Sequence, residues 1–228
     1  MATTKDVGLK AQFDFLLELD RLKSVVRQSS LANGSRRENS AEHSWHLAMF
    51  ALVLSEHADV QVNVAHAVRL LLVHDIVEID AGDAPIHANT LSRPKLEAAE
   101  YRAAERIFGL LPTQQAQRLR DMWLEFEAGQ SPEARFAKAL DRLQPLLLNI
   151  AVGGGTWKEN AITEQQVVDR YGCNQGRVNG LVGRCTRPRP DPFQCLRKQI
   201  GRGASDDRNG SMLSKKGLRK ATNRDSGG

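Results

Sequence analysis

Val64-Ala65-His66-Ala67-Val68-Arg69-Leu70-Leu71-Leu72-Val73-His74-Asp75 decides how the rest of the chain is read. Asn63 stands ahead of it as a helix cap. The segment Val64 to His74 is apolar nearly all round, which predicts a helix buried within the protein. That helix ends by delivering His74 and Asp75, two polar side chains, into an apolar interior. Burying such a pair is expensive unless something satisfies it, and a cation would.

Upstream, Phe13, Leu16 and Leu17 oppose Asp20 and Lys23-Ser24 at the helical period, predicting a first helix over Phe13–Val26. Asn39-Ser40 can cap a second, with Glu42 in its first turn favoured by the helix dipole. It runs through His43, Leu47, Phe50, Ala51 and Leu54 to about His57. Downstream, Ala81-Gly82-Asp83-Ala84-Pro85 reads as a loop. Leu96–Leu111, Thr113–Ala128 and Pro132–Ala151 follow as helices, with Pro112 and Pro132 at or near first-turn positions. Gly153-Gly154-Gly155 ends the last of these, and Thr163 caps a short helix through about Arg170. Period-two alternation is not sustained anywhere, so the expected fold is all-α, a helical bundle over residues 11–171.

The chain has 228 residues, 41% hydrophobic and 26% charged, the balance of a soluble globular protein. Its apolar runs all fall short of the roughly 18 residues needed to cross a bilayer, and no uninterrupted apolar segment follows the N-terminus. A cytoplasmic location, without a membrane partner, is therefore expected. The net charge of +5 is unevenly placed. Residues 1–171 hold 19 Lys/Arg against 23 Asp/Glu, a net of −4; residues 172–228 hold 13 against 4, a net of +9. The terminal stretch also carries ten of the 18 glycines, the run Arg187-Pro188-Arg189-Pro190, and Cys173, Cys185 and Cys195. It lacks an apolar stripe longer than a turn, so disorder is expected. A basic arm for nucleic acid or acidic lipid is the functional alternative. Phe193 is its one aromatic, which argues against a surface for stacking bases. Out-of-phase reading of GC-rich codons yields Arg, Gly, Pro and Ala, so a frameshifted or otherwise non-native terminus from about residue 172 is also expected.

Two further groups could converge on His74-Asp75: His43, in the first turn of the second helix, and Asp141. Two imidazoles and two carboxylates form a mixed nitrogen–oxygen site suited to a divalent first-row metal. An octahedral ion would keep two positions open, as metal-assisted hydrolysis requires. Against this, a lone buried His or Asp is more often a satisfied core group, and Asp141 could be a surface partner near Arg142. His46, His57 and His66 are assigned structural roles, the first two on a polar face or helix end and His66 with no carboxylate beside it.

The segments Arg37-Glu38-Asn39-Ser40-Ala41-Glu42-His43-Ser44, Leu72-Val73-His74-Asp75-Ile76-Val77-Glu78-Ile79, Gly82-Asp83-Ala84-Pro85 and Ala139-Leu140-Asp141-Arg142-Leu143 carry a resemblance. Together they resemble the HD-domain phosphohydrolases, in their 5′-deoxynucleotidase-like branch, over about residues 11–171. The resemblance implies an HD-domain helical bundle that removes phosphate from (deoxy)nucleoside 5′-monophosphates. It implies His43, His74, Asp75 and Asp141 as ligands of a divalent ion, with Mn, Co, Mg, Ni and Fe all left open. Glu78 matches the catalytic carboxylate that orients the attacking water and takes its proton. Asp83 matches an acidic residue acting at the substrate, on the sugar side, and Arg27 falls where a phosphate-binding arginine belongs. Arg36 and Arg37 are less specific candidates for that role, with a solvated loop as their other reading. Gln28 stands where some members have an aromatic beside the nucleotide. Lys95, Trp157 and Gly153–Gly155 are further site-shaping candidates, although packing against the preceding helix is the favoured reading of Trp157. A homodimer is implied as well. Two other readings compete. A di-iron oxygenase of the same fold would need more histidines after the His-Asp pair, and His87 alone precedes Asp141. A non-enzymatic protein with a structural metal would have no use for Glu78.

Overall fold

The computed structural model describes residues 4–58, 60–83, 93–163 and 166–167. The expectations for Ala84-Pro85, His87, the helix end at Arg170 and everything from residue 172 lie outside the described residues. In chain order the elements are α1 (Thr4–Leu19), β1 (Val26–Ser30), β2 (Arg37–Asn39), α2 (Ser40–Leu54), α3 (Val64–Val73), α4 (Glu78–Ala81), α5 (Arg93–Phe108), α6 (Thr113–Ala128), α7 (Pro132–Ala151) and α8 (Gly155–Glu159). The all-α reading holds, with one small addition.

That addition is an antiparallel hairpin of β1 and β2, pairing Val26 with Asn39 and Ser30 with Arg37 around an irregularity. The expected continuation of the first helix to Val26 is corrected accordingly. The α-helix ends at Leu19 and tightens into a 3₁₀ turn over Asp20–Ser24, after which Val25 adopts an extended backbone. Leu22 stays buried through that turn, so the helical period persists in the sequence after the α-helix has stopped.

Local chemistry explains most of the other boundaries. At the start of α2 the Glu42 N–H donates to Asn39 Oδ1 (2.9 Å) and the Asn39 N–H donates to Glu42 Oε2 (3.1 Å), a reciprocal capping box. Asn63 Oδ1 accepts from the His66 N–H at 3.1 Å to open α3. Ser131 Oγ accepts from the Ala134 N–H at 3.1 Å to open α7, with Pro132 at its first position. The glycine run after α7 turns the chain through positive φ values of 70°, 120° and 39°, which side chains resist.

Two apolar clusters organise the interior. One joins Leu47, Leu70, Leu71, Phe136, Leu140, Leu143 and Trp157 from α2, α3, α7 and α8. The other joins Phe15, Leu22, Val73, Ile76, Ile107, Phe108 and Trp123 from α1, α5, α6 and the α3–α4 turn. The stretch 70–79 therefore crosses from one cluster to the other, and His74 and Asp75 lie at the crossing. Buried leucines of this kind each contribute about 1.5–3 kcal/mol, which fixes the end of α3 between two packed bodies. Ala65, Arg69 and Leu72 are exposed, so α3 buries one face, that of Ala67, Leu70, Leu71 and Val73, and not its whole circumference as its composition suggested.

Candidate metal centre

Three elements deliver the central side chains. His43 lies one turn into α2 behind its capping box, His74 and Asp75 follow α3, and Asp141 is midway along α7. His43 Nε2 is 3.0 Å from Asp141 Oδ1, and His74 Nε2 is 3.8 Å from the same oxygen. One nitrogen or oxygen atom each from His43, His74 and Asp141 lie within 4.8 Å of one another, a group that could hold a metal ion. Asp75 stands beside this trio. Its Oδ1 is 3.0 Å from His74 Nε2, and its Oδ2 is 3.9 Å from His43 Nε2 and 2.7 Å from Arg27 Nη1.

The hydrogen bonds behind the two histidines point the same way. His74 Nδ1 donates to the Leu71 carbonyl at 2.8 Å, while its buried Nε2 faces Asp75 Oδ1 at 3.0 Å without the alignment of a hydrogen bond. His43 Nδ1 faces Gln144 Oε1 at 3.2 Å, leaving its Nε2 for Asp141. Each ring thus keeps Nε2 for the shared point and anchors Nδ1 on an acceptor, the arrangement common to metal-ligating histidines. A buried nitrogen without a well-aligned partner is costly, and a cation would satisfy that of His74. The donor set fits a divalent ion.

The charges agree. Burial alone would lower the His74 imidazole, but Asp75 and then Asp141 outweigh it and hold it at about 10. Burial alone would raise Asp75, but His74 and Arg27 hold its carboxyl at about 2. Burial acts on Asp141 likewise, yet the two histidines keep it well below the ordinary carboxylate range. This negative field draws a proton to His74, and it draws a cation for the same reason.

Glu78 opens α4, and its surroundings differ. The Ser40 hydroxyl donates to its Oε2 at 2.5 Å, and Arg27 Nη1 is 3.4 Å from its Oε1. Burial first, and then the Asp75 charge, push its carboxyl up to about 8. Asp83 is 3.9 Å from Arg27 and is also raised, chiefly by burial. Arg27, on β1, is the cation among these acids. Burial opposes its charge, but Asp75, Glu78 and Asp83 together raise it above its ordinary value. Its Nε faces Glu38 Oε1 at 3.8 Å, and both of those atoms are buried without a hydrogen bond.

The structure therefore brings together His43, His74, Asp75, Glu78, Asp83, Asp141 and Arg27. Arg36 is taken up instead by Glu42 at 2.6 Å, and Arg37 by Glu159 at 2.7 Å and by Gln28. Lys95 is exposed, and Trp157 is buried in the core as its packing role requires. His66 departs from expectation, because Glu125 of α6 lies 2.9 Å from its Nε2. That partner is 59 positions away in sequence, beyond the reach of local reading. His46 packs edge-on to Phe50, and His57 lies 3.7 Å from its neighbour Glu56. Ser40, Glu38 and Gln144 went unnoticed as members of the site. The signal for Gln144 was present, as a polar residue one turn beyond Asp141 on a face lined by Leu140, Leu143 and Leu146.

Two histidines and a pair of aspartates at the meeting of three helices place the chain among helical domains built around a divalent-metal site. More particularly, the chain belongs to the HD domain family, whose pattern matches residues 19–177. It is similar to a predicted metal-dependent phosphohydrolase from Magnetospirillum magnetotacticum MS-1, with 43% identity and a TM-score of 0.69 over 86% of this chain and 97% of that one. It is 33% identical to the human 5′-deoxynucleotidase HDDC2 over 148 residues, 64% of this chain and 70% of that protein. The Schizosaccharomyces pombe 5′-deoxynucleotidase hdd1 is 28% identical over 134 residues, 57% of this chain and 66% of that one.

Proposed function

We propose that this chain is a metal-dependent phosphomonoesterase acting on (deoxy)nucleoside 5′-monophosphates. The observation that carries the reading is the juxtaposition of the His43–His74–Asp141 group, whose histidines are buried, with Glu78, a carboxyl raised to about 8. The names of the relatives supply the substrate class. His43, His74, Asp75 and Asp141 would hold a divalent ion, with Mn, Co, Mg, Ni and Fe as candidates. Such an ion, when bound, polarises a phosphoryl oxygen and makes water more acidic.

The chain's own residues do the rest. Glu78 orients the attacking water and accepts its proton, and the Ser40 hydroxyl holds one carboxylate oxygen in place. A purely structural site would have no task for a carboxyl so placed. Arg27 receives the phosphate, and its guanidinium offsets part of the negative charge of Asp75, Glu78 and Asp83. Asp83 accepts from the sugar. Several carboxylates facing one arginine repel a phosphate, so substrate affinity should itself depend on the bound cation.

A homodimer and a cytoplasmic location belong to the same reading. Leu9, Phe13, Leu16 and Leu17 of α1 and Trp45, Met49, Leu52 and Val53 of α2 repeat one helical spacing and are all exposed, Leu17 at 72% and Trp45 at 63%. A second copy of the chain is the occupant proposed for these faces, and sedimentation equilibrium measures it. No described helix is long and apolar enough to cross a membrane.

The deciding assay offers nucleoside 5′-monophosphates, ribo and deoxy with each base, to stripped protein reloaded with each candidate metal. Released phosphate that requires both metal and Glu78 supports the reading. No release from any nucleotide with any metal removes it.

A further inference from the structure

Gln144 is wholly buried on α7, three residues beyond Asp141. Its Oε1 is 3.2 Å from His43 Nδ1, and its Nε2 is 2.8 Å from Glu38 Oε2 and 3.3 Å from His46 Nδ1. Glu38, on β2, is itself buried, 106 positions from Gln144 in sequence. We propose that Glu38 and Gln144 form a positioning pair that fixes the tautomer of His43, so that its Nε2 lone pair faces the metal. The inference rests on the metal-dependent reading above.

Direction is imposed from one end. A carboxylate accepts hydrogen bonds and cannot donate them, so the NH₂ of Gln144 must face Glu38. The reverse orientation would set amide oxygen against carboxylate oxygen at that 2.8 Å separation and leave both without a donor. With one amide hydrogen on Glu38, the other reaches His46 Nδ1. Burial, aided by the neighbouring His43, lowers the His46 imidazole against the pull of Glu38, which suits an acceptor nitrogen. The carbonyl of Gln144 is then left for His43. Facing an oxygen that only accepts, His43 Nδ1 must carry a hydrogen, and in the neutral ring Nε2 becomes the lone-pair atom. That is the nitrogen 3.0 Å from Asp141.

The two histidines reach the same state by different devices. His74 is set by a carbonyl of its own helix, which no side-chain substitution removes. His43 is set by two acceptors on Nδ1, the Gln144 carbonyl oxygen, whose orientation Glu38 dictates, and Glu38 Oε1 itself at 3.4 Å. Simple filling of space does not account for Gln144, because a leucine would fill the volume without burying an amide among three polar partners. It also gives Glu38 no reason to matter.

The test uses the full chain, stripped of metal and titrated with Mn²⁺ by calorimetry. Gln144→Leu should weaken Mn²⁺ binding by about 10–100-fold, the usual cost of losing such an outer partner. Gln144→Glu keeps an oxygen opposite Nδ1 and can share one proton with Glu38, so it should recover most of that affinity. Glu38→Gln leaves Gln144 in place but removes both what orients it and the carboxylate oxygen facing His43 Nδ1, and affinity should fall here too. In Mg²⁺-loaded protein labelled with ¹⁵N-histidine, the His43 Nδ1–H resonance should be protected from exchange in the wild type and lose protection in Gln144→Leu. Wild-type affinity in Gln144→Leu overturns the proposal. So does wild-type affinity in Glu38→Gln alongside a loss in Gln144→Leu, which is the pattern of a packing role. If the leucine variant does not fold, the Glu38→Gln and Gln144→Glu titrations decide alone. A wild type that binds no Mn²⁺ overturns the metal reading itself and this proposal with it.

Discussion

Glu78 is buried beside the negative charges of Asp75 and Asp83, and its behaviour with pH follows from that. Its carboxyl ordinarily titrates near 4.5 and is raised to about 8 here. As a base it must be ionised, so kcat/KM should climb as pH rises through its pKa, and a bound cation moves that limb lower. Glu78→Gln should retain metal, lose roughly 10²–10⁴-fold in turnover and show no ascending limb. Near-normal turnover would hand the role to another group. Stability carries the opposite sign. A raised pKa stabilises the fold fully below about 4.5, and that contribution disappears as pH rises through about 8. Metal-stripped Glu78→Gln, which cannot ionise, should therefore gain in Tm over the wild type above pH 8 and lose the advantage in acid. Arg27 gives the complementary case. Arg27→Ala should raise KM more than it lowers kcat, and added salt should weaken the wild type in the same direction by screening. An unchanged KM would remove Arg27 from the phosphate site, and Arg36 and Arg37 are already committed to Glu42 and Glu159.

At the level of elements, α7 shows how the site constrains its support. Pro145 lies inside the helix, where it has no N–H to give the carbonyl four residues earlier. That carbonyl belongs to Asp141. An interior proline costs a helix about 3 kcal/mol, and here the cost falls at the residue that meets both histidines. Pro145→Ala should raise Tm and at the same time weaken Mn²⁺ binding; unchanged binding would mean that the interruption does not shape the site. Sequence alone revealed the starts of α2, α3 and α7 and the end of α7, because Asn39, Asn63, Pro132 and the Gly153 run act within a few residues of themselves. It did not reveal the hairpin, since the side chains β1 and β2 turn inward are Ser29 and Glu38 rather than aliphatics. For α1 it found an apolar stripe at Phe13, Leu16 and Leu17, yet the chain buries Phe15 and leaves the stripe outside. Periodicity shows that a helix has an apolar face; it does not show which molecule covers it. The acids and histidines of the centre were legible because charge in an apolar setting demands a reason. Gln144 and Ser40 were not, because uncharged polar residues draw no such attention and their partners lie far away in sequence.

For the whole molecule, a bound divalent ion would be part of what holds the fold together. Its proposed ligands come from α2, α7 and the end of α3, which span both apolar clusters. A ligand that binds the folded chain at a free concentration about 1,000 times its Kd adds roughly 4 kcal/mol, or about 10 °C in Tm for a domain of this size. Stripping with excess chelator should lower the melting temperature by that amount, and Mn²⁺ should restore it. An equal Tm with and without metal would argue against a site that ties the helices together.

Among the proposed ligands exposure is uneven. His43 has none, and Asp141 retains 30%. Among the described residues, then, Asp141 is the proposed ligand that solvent reaches most, and a bound ion would exchange its water most readily on that side. Buried histidines would then weigh mostly on how tightly an ion is kept, and the exposed aspartate on how quickly one is traded for another. Which divalent metal the protein carries would then depend on exchange at the α7 side of the centre, where Asp141 stands.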